Sequence, residues 1–277
     1  MRVAISLAWL VYLLIQSACL WADSCSELTA DETVSVKTIY DGDTIQLSDN
    51  RRVRLLSINT PEMARENNPA QALSVEARDA VSDFLANSKT IYLTFGQRKQ
   101  DRYQRLLAHI SNSQHQSLEA YLVERGLAFP LAVPPDTQYS ACLRELADRA
   151  REQNHGIWQH SYWQAIPATE SAQFTQNFRR VCGTVAKIDS AGALWIELQG
   201  ELVIHIDRND WPFFEKSDFD LTTADNWIGK SVELWGWLQD RRKQRNIIER
   251  GFKPWSIQAR SPYVMRWIDR CEYTHGE

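Results

Sequence analysis

Short runs of alternating hydrophobic and polar residues occupy the start of the chain after residue 33, a pattern typical of β-strands. Residues 34–39 alternate in this way. Residues 44–47 and 52–58 alternate as well, and the turn-forming sequence Ser48-Asp49-Asn50 lies between them. The pattern therefore predicts three consecutive strands, of which the second and third form a β-hairpin.

Apolar residues at helical spacing follow these strands. After Pro69 they recur every three or four positions, which predicts a helix, and a second strand pair is predicted at residues 90–95 and 105–111. Ser117 and Thr137 stand where the N-caps of two further helices are expected. The first half is thus predicted to hold five strands and three helices, with one helix inserted after the third strand.

The second half of the chain returns to the strand pattern, with turns between the runs. Its five runs cover residues 181–188, 194–198, 202–206, 231–238 and 257–259. Five short strands joined by turns predict a second small barrel that is mostly β.

Tryptophan is concentrated in this second half, at positions 195, 211, 227, 235, 237, 255 and 267. Stacking on nucleic-acid bases is one interpretation of these aromatic side chains. Packing is the favoured interpretation, because alternate strand residues such as Trp235 and Trp237 face the same side.

The first 22 residues have the pattern of a secretory signal peptide. Arg2 precedes an apolar run at residues 3–15, and Ala22 offers a small residue for cleavage. A membrane anchor is the competing interpretation, but the run is shorter than the ~20 apolar residues that a spanning helix needs. Cys19 raises a lipoprotein alternative, although Gln16 stands where an aliphatic residue is expected. We expect a secreted or periplasmic protein.

Four cysteines remain after removal of the signal, namely Cys25, Cys142, Cys182 and Cys271. An even number in an exported chain predicts two disulfides. Three connectivities are possible, and the order along the chain favours one bridge within each half. No two of the four cysteines form a C-x-x-C pair, which argues against a zinc site or a thioredoxin-like centre.

A break in the pattern divides the chain. Helical spacing ends near residue 159, and Pro167 is followed by small and polar residues. We therefore expect a first domain at residues 23–160, a linker at 161–174 and a second domain at 175–277.

Net charge does not indicate a nucleic-acid binder, but local charge does. The chain has a net charge of −4, which becomes −5 when the single charged residue of the signal, Arg2, is lost. Two basic clusters stand out against this background. The first consists of Arg98, Lys99, Arg102 and Arg105, and the second of Arg241, Arg242, Lys243 and Arg245. Such runs are often only solvated loops, but nearby catalytic motifs favour phosphate contact for the first cluster.

Three polar motifs in the first half supply the groups that metal-assisted phosphodiester hydrolysis requires. Asp43, Asn59 and the backbone carbonyl of Thr60 offer oxygen ligands for a hard cation. Glu62 is a candidate base for activating water. Arg54 and Arg105 can stabilise negative charge that develops on the phosphorus oxygens.

These motifs resemble those of the thermonuclease, or staphylococcal-nuclease-like, family over residues 34–158. The matching motifs are Asp41-Gly42-Asp43-Thr44, Arg54-Leu55-Leu56, Thr60-Pro61-Glu62, Glu76-Ala77, Asp101-Arg102-Tyr103-Gln104-Arg105, Gly126-Leu127-Ala128 and Gly156-Ile157-Trp158. The resemblance implies an α+β fold in which an OB-like five-stranded barrel carries three helices. A second OB-like barrel is one candidate for the second half.

The resemblance also implies a function. It implies a Ca²⁺-dependent nuclease that acts on DNA and RNA and leaves the phosphate on the 3′ side of the break. Arg102, Tyr103, Arg98 and Lys99 are then expected to bind substrate. A nucleic-acid or surface-binding module with a degenerate nuclease site is the alternative, because Asn59 stands where the family commonly has aspartate, and an amide binds Ca²⁺ less strongly than a carboxylate.

Overall fold

The computed structural model describes Cys25 and residues 29–66, 68–244, 246–247 and 249–271. The predicted signal peptide, residues 1–22, lies outside this part of the chain. No helix among the described residues is long and apolar enough to cross a membrane.

The first half forms a closed five-stranded barrel. Its strands are β1 (Glu32–Val34), β2 (Val36–Ile39), β3 (Thr44–Leu47), β4 (Arg52–Leu55), β6 (Ile91–Gln100) and β7 (Leu106–Ser111), with a short pair formed by β5 (Ile58–Asn59) and β8 (Phe129–Pro130). β1 and β2 act as one interrupted strand, so the order around the barrel is β1/β2, β3, β4, β7, β6 and back to β1. β4 and β7 are parallel, while the other neighbouring pairs are antiparallel.

The predicted hairpin is confirmed, because β3 and β4 are antiparallel with Ile45 opposite Val53 and both side chains in the core. The fourth predicted strand is longer than its alternation indicated. It continues to Gln100, so the basic residues Arg98 and Lys99 belong to β6 rather than to a loop.

Three helices pack on this barrel: α1 (Ser74–Leu85), α2 (Leu118–Glu124) and α3 (Ser140–Glu152). Ser117 is the predicted N-cap of α2, and its hydroxyl accepts a hydrogen bond from Ala120 N at 3.2 Å. The predicted cap at Thr137 is wrong. Thr137 instead closes a turn, in which its carbonyl accepts from Ser140 N at 3.0 Å, and α3 begins after that turn.

The second half forms a barrel with the same strand order. Its strands are β10 (Phe178–Asp189), β11 (Leu194–Leu198), β12 (Leu202–Ile206), β13 (Ser231–Asp240) and β14 (Trp255–Gln258), with β15 (Met265–Ile268) added beside β13. The order is β10, β11, β12, β14, β13 and back to β10, and β12 and β14 are the parallel pair. This is the topology of the first barrel, and it is the OB arrangement that the sequence offered as a candidate.

The two barrels pack directly on each other. Trp235 on β13 donates its indole N–H to Pro130 O at 2.7 Å, and Arg144 on α3 donates to Met265 O at 2.7 Å. The segment predicted as a linker is itself packed. Trp163 is 1% exposed and donates to Ala72 O at 3.0 Å, and β9 (Ile166–Pro167) pairs with β10.

The structure joins Cys25 to Cys142 and Cys182 to Cys271. Their Cα atoms are 5.9 and 5.5 Å apart, within the usual range for disulfides. The first bridge fastens Cys25 to α3, and the second fastens the end of the described chain to β10.

Candidate active site

The turn between β2 and β3 buries two carboxylates. Asp41 and Asp43 are each 2% exposed, and the backbone N–H of Asp43 donates to Asp41 Oδ1 at 3.1 Å. Gly42 allows this turn to pack closely on Thr60 and Ala77. A Cβ at that position would be 2.8 Å from Thr60 Cγ2 and 2.9 Å from Ala77 Cβ. The glycine therefore permits the close approach that carries both acids out of solvent.

The carboxylate of Asp43 is the centre of the site. One oxygen accepts from Thr44 Oγ1 at 3.0 Å. The other accepts from the backbone N–H of Thr60 at 3.0 Å and lies 3.1 Å from Arg54 Nη2. These contacts connect the β2–β3 turn, strand β4 and the loop after β5, which are three of the motifs singled out in the sequence.

Arg54 on β4 is held on several sides. Its guanidinium donates to the carbonyls of Leu55 and Ile58 at 2.6 and 3.0 Å, and to Asn59 Oδ1 at 3.3 Å. Asn59 in turn donates its amide to Thr60 O at 3.3 Å. A guanidinium fixed in this way loses little conformational entropy when it binds an anion. This property suits the stabilisation of negative charge that develops in a transition state.

Glu62 lies at the solvent edge of this network. Its backbone N–H donates to Gln71 Oε1 at 2.8 Å, which fixes the loop, while its side chain remains 46% exposed. Partial desolvation and the nearby Asp43 raise the pKa of Glu62 above its usual range, and Arg65, Arg54 and Arg105 oppose that rise. The raised pKa makes Glu62 a stronger base than an isolated glutamate.

Arg105 is positioned by Asp101 at the turn between β6 and β7. Its Nε lies 2.7 Å from Asp101 Oδ2, and its backbone N–H donates to Asp101 Oδ1 at 3.0 Å. Burial alone would raise the pKa of Asp101, but these hydrogen bonds and the guanidinium charge outweigh it and lower the pKa. Asp101 therefore stays ionised and anchors the turn.

The predicted substrate-binding residues divide into two pairs. Arg102 donates to the hydroxyl of Tyr103 at 2.6 Å, and the Tyr103 ring, 56% exposed, has the guanidinium carbon of Arg105 at 5.7 Å from its centre. Arg98 lies 4.0 Å from Asp136, and the ammonium of Lys99 is 5.7 Å from the Phe95 ring. The structure thus places the first pair beside Arg105, while Arg98 contacts Asp136 in the loop before α3 and Lys99 contacts Phe95 on β6.

Comparison with known proteins identifies the family. The profile of the staphylococcal nuclease homologue family matches residues 52–160. An uncharacterized endonuclease of Escherichia coli O157:H7 is 30% identical over 134 residues, covering 47% of this chain and 80% of that protein. The chain belongs to the staphylococcal nuclease homologue family. The thermonuclease of Staphylococcus intermedius is 28% identical over 131 residues, covering 46% of this chain and 77% of the relative.

As a staphylococcal nuclease homologue, the chain is a nuclease, a hydrolase of phosphodiester bonds. The matched residues include Arg54, Thr60, Glu62 and Arg105 of the site just described, and they begin after Asp41 and Asp43. The second barrel begins beyond the profile, at Phe178.

Two members of the site in this nuclease homologue were missed in the sequence. Asp41 was named only as part of the Asp41-Gly42-Asp43-Thr44 motif and given no role, yet burial, followed by the charges of Asp43 and Glu62, raises its pKa to about 7. Arg65 lies in a loop without a regular pattern, and it bridges Asp41 Oδ2 at 2.9 Å and Glu62 Oε2 at 3.2 Å. The Asp41-Gly42-Asp43 spacing could have indicated the first, but only the folded loop identifies the second.

The donor set is suited to a hard cation. Asp41 and Asp43 offer carboxylates, while Asn59 and the Thr60 carbonyl offer neutral oxygens. The pKa of Asp41 is raised because Asp41 is buried close to the acidic side chain of Asp43. A bound cation would reduce the free-energy cost of ionising both carboxyl groups. Among the described residues, however, no group of three or more His, Cys, Asp or Glu side chains meets the geometry of a metal site.

Proposed function

We propose that this nuclease is an exported enzyme that requires Ca²⁺, hydrolyses DNA and RNA, and leaves the phosphate on the 3′ side of the break. The observation that carries the proposal is the contact of Asp43 with both Arg54 and Thr60, with Glu62 at the edge of the same network. This arrangement combines oxygen ligands, a base and charge-stabilising donors within one surface of the first barrel.

Asp43, Asn59 and the Thr60 carbonyl are the proposed ligands of Ca²⁺, with Asp41 close behind them. Bound there, the cation would polarise the scissile phosphate as a Lewis acid. Carboxylate, amide and carbonyl oxygens are the ligands that a hard cation prefers, and water would complete its coordination.

Glu62 is the proposed general base. It would take a proton from water as the water oxygen attacks phosphorus. The bond from phosphorus to the 5′ oxygen would break, and that oxygen would take a proton from solvent and leave as a 5′-hydroxyl. Its raised pKa supports this role, because a base works best when its pKa approaches the working pH. Arg65 contacts Glu62 Oε2 at 3.2 Å and opposes the rise in the pKa of Glu62.

Arg54 and Arg105 are proposed to stabilise the extra charge on the phosphoryl oxygens. Arg54 has a side chain only 13% exposed and a fixed orientation, while Arg105 is 22% exposed and is braced by Asp101. Tyr103 and Arg102 are proposed to hold the substrate beside them, with Arg98 and Lys99 contacting the strand farther away.

A single experiment tests the activity and its products. The mature protein is incubated with plasmid and with RNA, in Ca²⁺ and in chelator, beside the Glu62→Gln variant. We expect both substrates to be cut only with Ca²⁺ and only by the native enzyme. Polymerase should extend the DNA ends only after phosphatase treatment, because a 3′-phosphate blocks extension. Cutting in chelator would contradict the metal requirement.

A second candidate function is a nucleic-acid-binding module with a degenerate nuclease site. It is favoured by Asn59, whose neutral amide stands at a proposed ligand position and accepts from Arg54 at 3.3 Å. Binding of DNA without any Ca²⁺-dependent cutting in the same experiment would support this alternative.

Export has a separate test. The two disulfides are compatible with an oxidising compartment. Mass spectrometry of protein recovered outside the cytoplasm should give a mature amino terminus at Asp23, whereas a retained terminus at Met1 would contradict signal cleavage.

A further inference from the structure

The shared strand order of the two barrels identifies corresponding surfaces. In the first barrel, Thr44 on β3 stands opposite Arg54 on β4, immediately before the core pair Ile45 and Val53. β11 and β12 take the places of β3 and β4 in the second barrel. There the outward pair is Trp195 opposite His205, immediately before the core pair Ile196 and Ile204. The position that carries Arg54 in the nuclease site therefore corresponds to His205.

This corresponding surface presents planar groups. The rings of Trp195 and His205 are stacked, with centroids 4.2 Å apart and planes inclined by 21°. The guanidinium carbon of Arg241 lies 4.9 Å from the centre of the Trp195 ring. All three side chains are neither fully buried nor fully exposed. Desolvation lowers the pKa of His205, with Asp207 opposing the shift and Arg241 adding to it.

A basic loop borders these rings. It connects β13 to β14 and begins with Arg241, Arg242 and Lys243. Arg242 is paired with Asp240 at 2.5 Å, whereas Lys243 is exposed. In the first barrel, the loop between the corresponding strands carries Arg102 and Arg105. Both barrels thus place cations beside the second and third strands, where OB folds bind oligonucleotides.

We propose that this surface of the second barrel, formed by Trp195, His205 and Arg241, binds single-stranded nucleic acid. Bases would extend the stack of planar groups, and the loop cations would contact phosphates. The proposal rests on the proposed function for the nature of the ligand, since the same enzyme would bind and cut one chain. OB folds also bind oligosaccharides, but the basic loop favours a polyanion with flat bases.

The exposed fractions of other tryptophans in this barrel show whether a nucleic-acid base could reach them. Trp227, Trp235 and Trp255 are 2%, 1% and 5% exposed, so they are not accessible to a base. Trp237 is 47% exposed, but it lies on β13 and packs edge-on against Phe178 at 5.0 Å. Trp237 is therefore a matched control: an accessible tryptophan of the same barrel outside the proposed surface.

The test measures binding in chelator, which prevents cutting. Fluorescence anisotropy is recorded with a 12-residue oligothymidylate and with an abasic oligomer of the same length. Trp195→Leu should weaken oligothymidylate binding roughly 5- to 100-fold. It should leave the abasic oligomer unchanged, because that ligand has no bases to stack. Trp195→Phe should retain most of the affinity, and Trp237→Leu should bind as the native protein does.

Arg241→Ala is a second variant that leaves Trp195 in place, and it should weaken both oligomers and reduce the salt dependence of binding. Native affinity in folded Trp195→Leu, or an equal loss for the abasic oligomer, would overturn the proposal. Equal binding of dextran sulfate and oligothymidylate would also overturn it, because charge alone would then explain binding. Hydrolysis of a dinucleotide by the native protein in Ca²⁺ is measured separately, and this distinguishes failure of the binding surface from failure of the nuclease assignment.

Discussion

The two barrels share a strand order but differ in the burial of the turn between their first two strands. In the first barrel this turn holds Asp41 and Asp43 against Thr60, each 2% exposed. In the second barrel the corresponding residues 189–192 are exposed, so Asp189 stays in solvent. The same topology therefore supports two kinds of surface. Burial concentrates charge in one of them, and flat solvent-facing rings line the other.

The largest contrast between the barrels should be in chemistry. Glu62→Gln keeps the size of the side chain but removes the proposed base, so turnover should fall by ~10² to 10⁴. Glu66→Gln, an exposed residue of the same loop, is the control and should retain activity. Initial rates on plasmid with Ca²⁺ measure both. Near-native hydrolysis by Glu62→Gln would remove the mechanism proposed for the first barrel.

Arg54 should combine a catalytic and a structural effect, unlike its counterpart His205. Arg54→Ala removes a charge-stabilising donor, for which a loss of ~10² to 10³ in rate is expected. It also leaves Asp43 buried without its ion pair, so the melting temperature should fall. Arg52→Ala, on the exposed side of the same strand, should change neither quantity. An unchanged rate in folded Arg54→Ala would contradict its catalytic role.

Asp41 predicts an unusual response to pH. Its pKa is about 7 in the folded protein and near 3.8 when exposed, so the folded state binds more protons between these values. In chelator, the contribution of Asp41 to the free energy of unfolding should therefore fall as pH rises from about 4 to 7, by on the order of a few kcal/mol. Denaturant unfolding across this range measures the slope. Asp41→Asn should remove this contribution, so the native protein should lose stability relative to the variant as pH rises, and identical pH dependences would exclude Asp41 as the cause.

The Asn59→Asp substitution, which is expected to change the Ca²⁺ affinity, has the smallest expected effect. Asn59→Asp adds a carboxylate at a proposed ligand position without changing side-chain length, so Ca²⁺ should bind more tightly, by on the order of tenfold. Calorimetric titration measures the affinity, with Asn68→Asp, an exposed residue of the neighbouring loop, as the control. Equal or weaker binding by Asn59→Asp would remove Asn59 from the ligand set.

The sequence predicted those strands and helix ends that depend on residues close together in the chain. The hairpin of β3 and β4 follows from alternation, and the start of α2 follows from the capping chemistry of Ser117. Alternation also located the strands of the second barrel, but it could not show that β12 and β14 are parallel, since that pairing joins segments distant in sequence.

The candidate site was predictable in its motifs and less so in its contacts. Asp43, Arg54 and Thr60 were expected together, and the structure brings them together. Arg65 was not expected, because its pairing with Asp41 depends on how an irregular loop folds back. Arg98 was expected in a basic loop, yet β6 extends through it, because Gln100 pairs with Leu106 again after a shift of register beyond Phe95.

The buried carboxylate of Glu233 has a consequence for how the protein melts. Glu233 on β13 binds Arg180 of its own barrel at 2.8 Å and Arg151 of the α3 helix at 2.8 Å. If one barrel unfolded alone, this acid would lose a partner while still partly buried, a costly state. Buried side chains of both barrels also form one continuous hydrophobic cluster. The two barrels are therefore expected to unfold as one cooperative unit, with a single calorimetric transition in place of two.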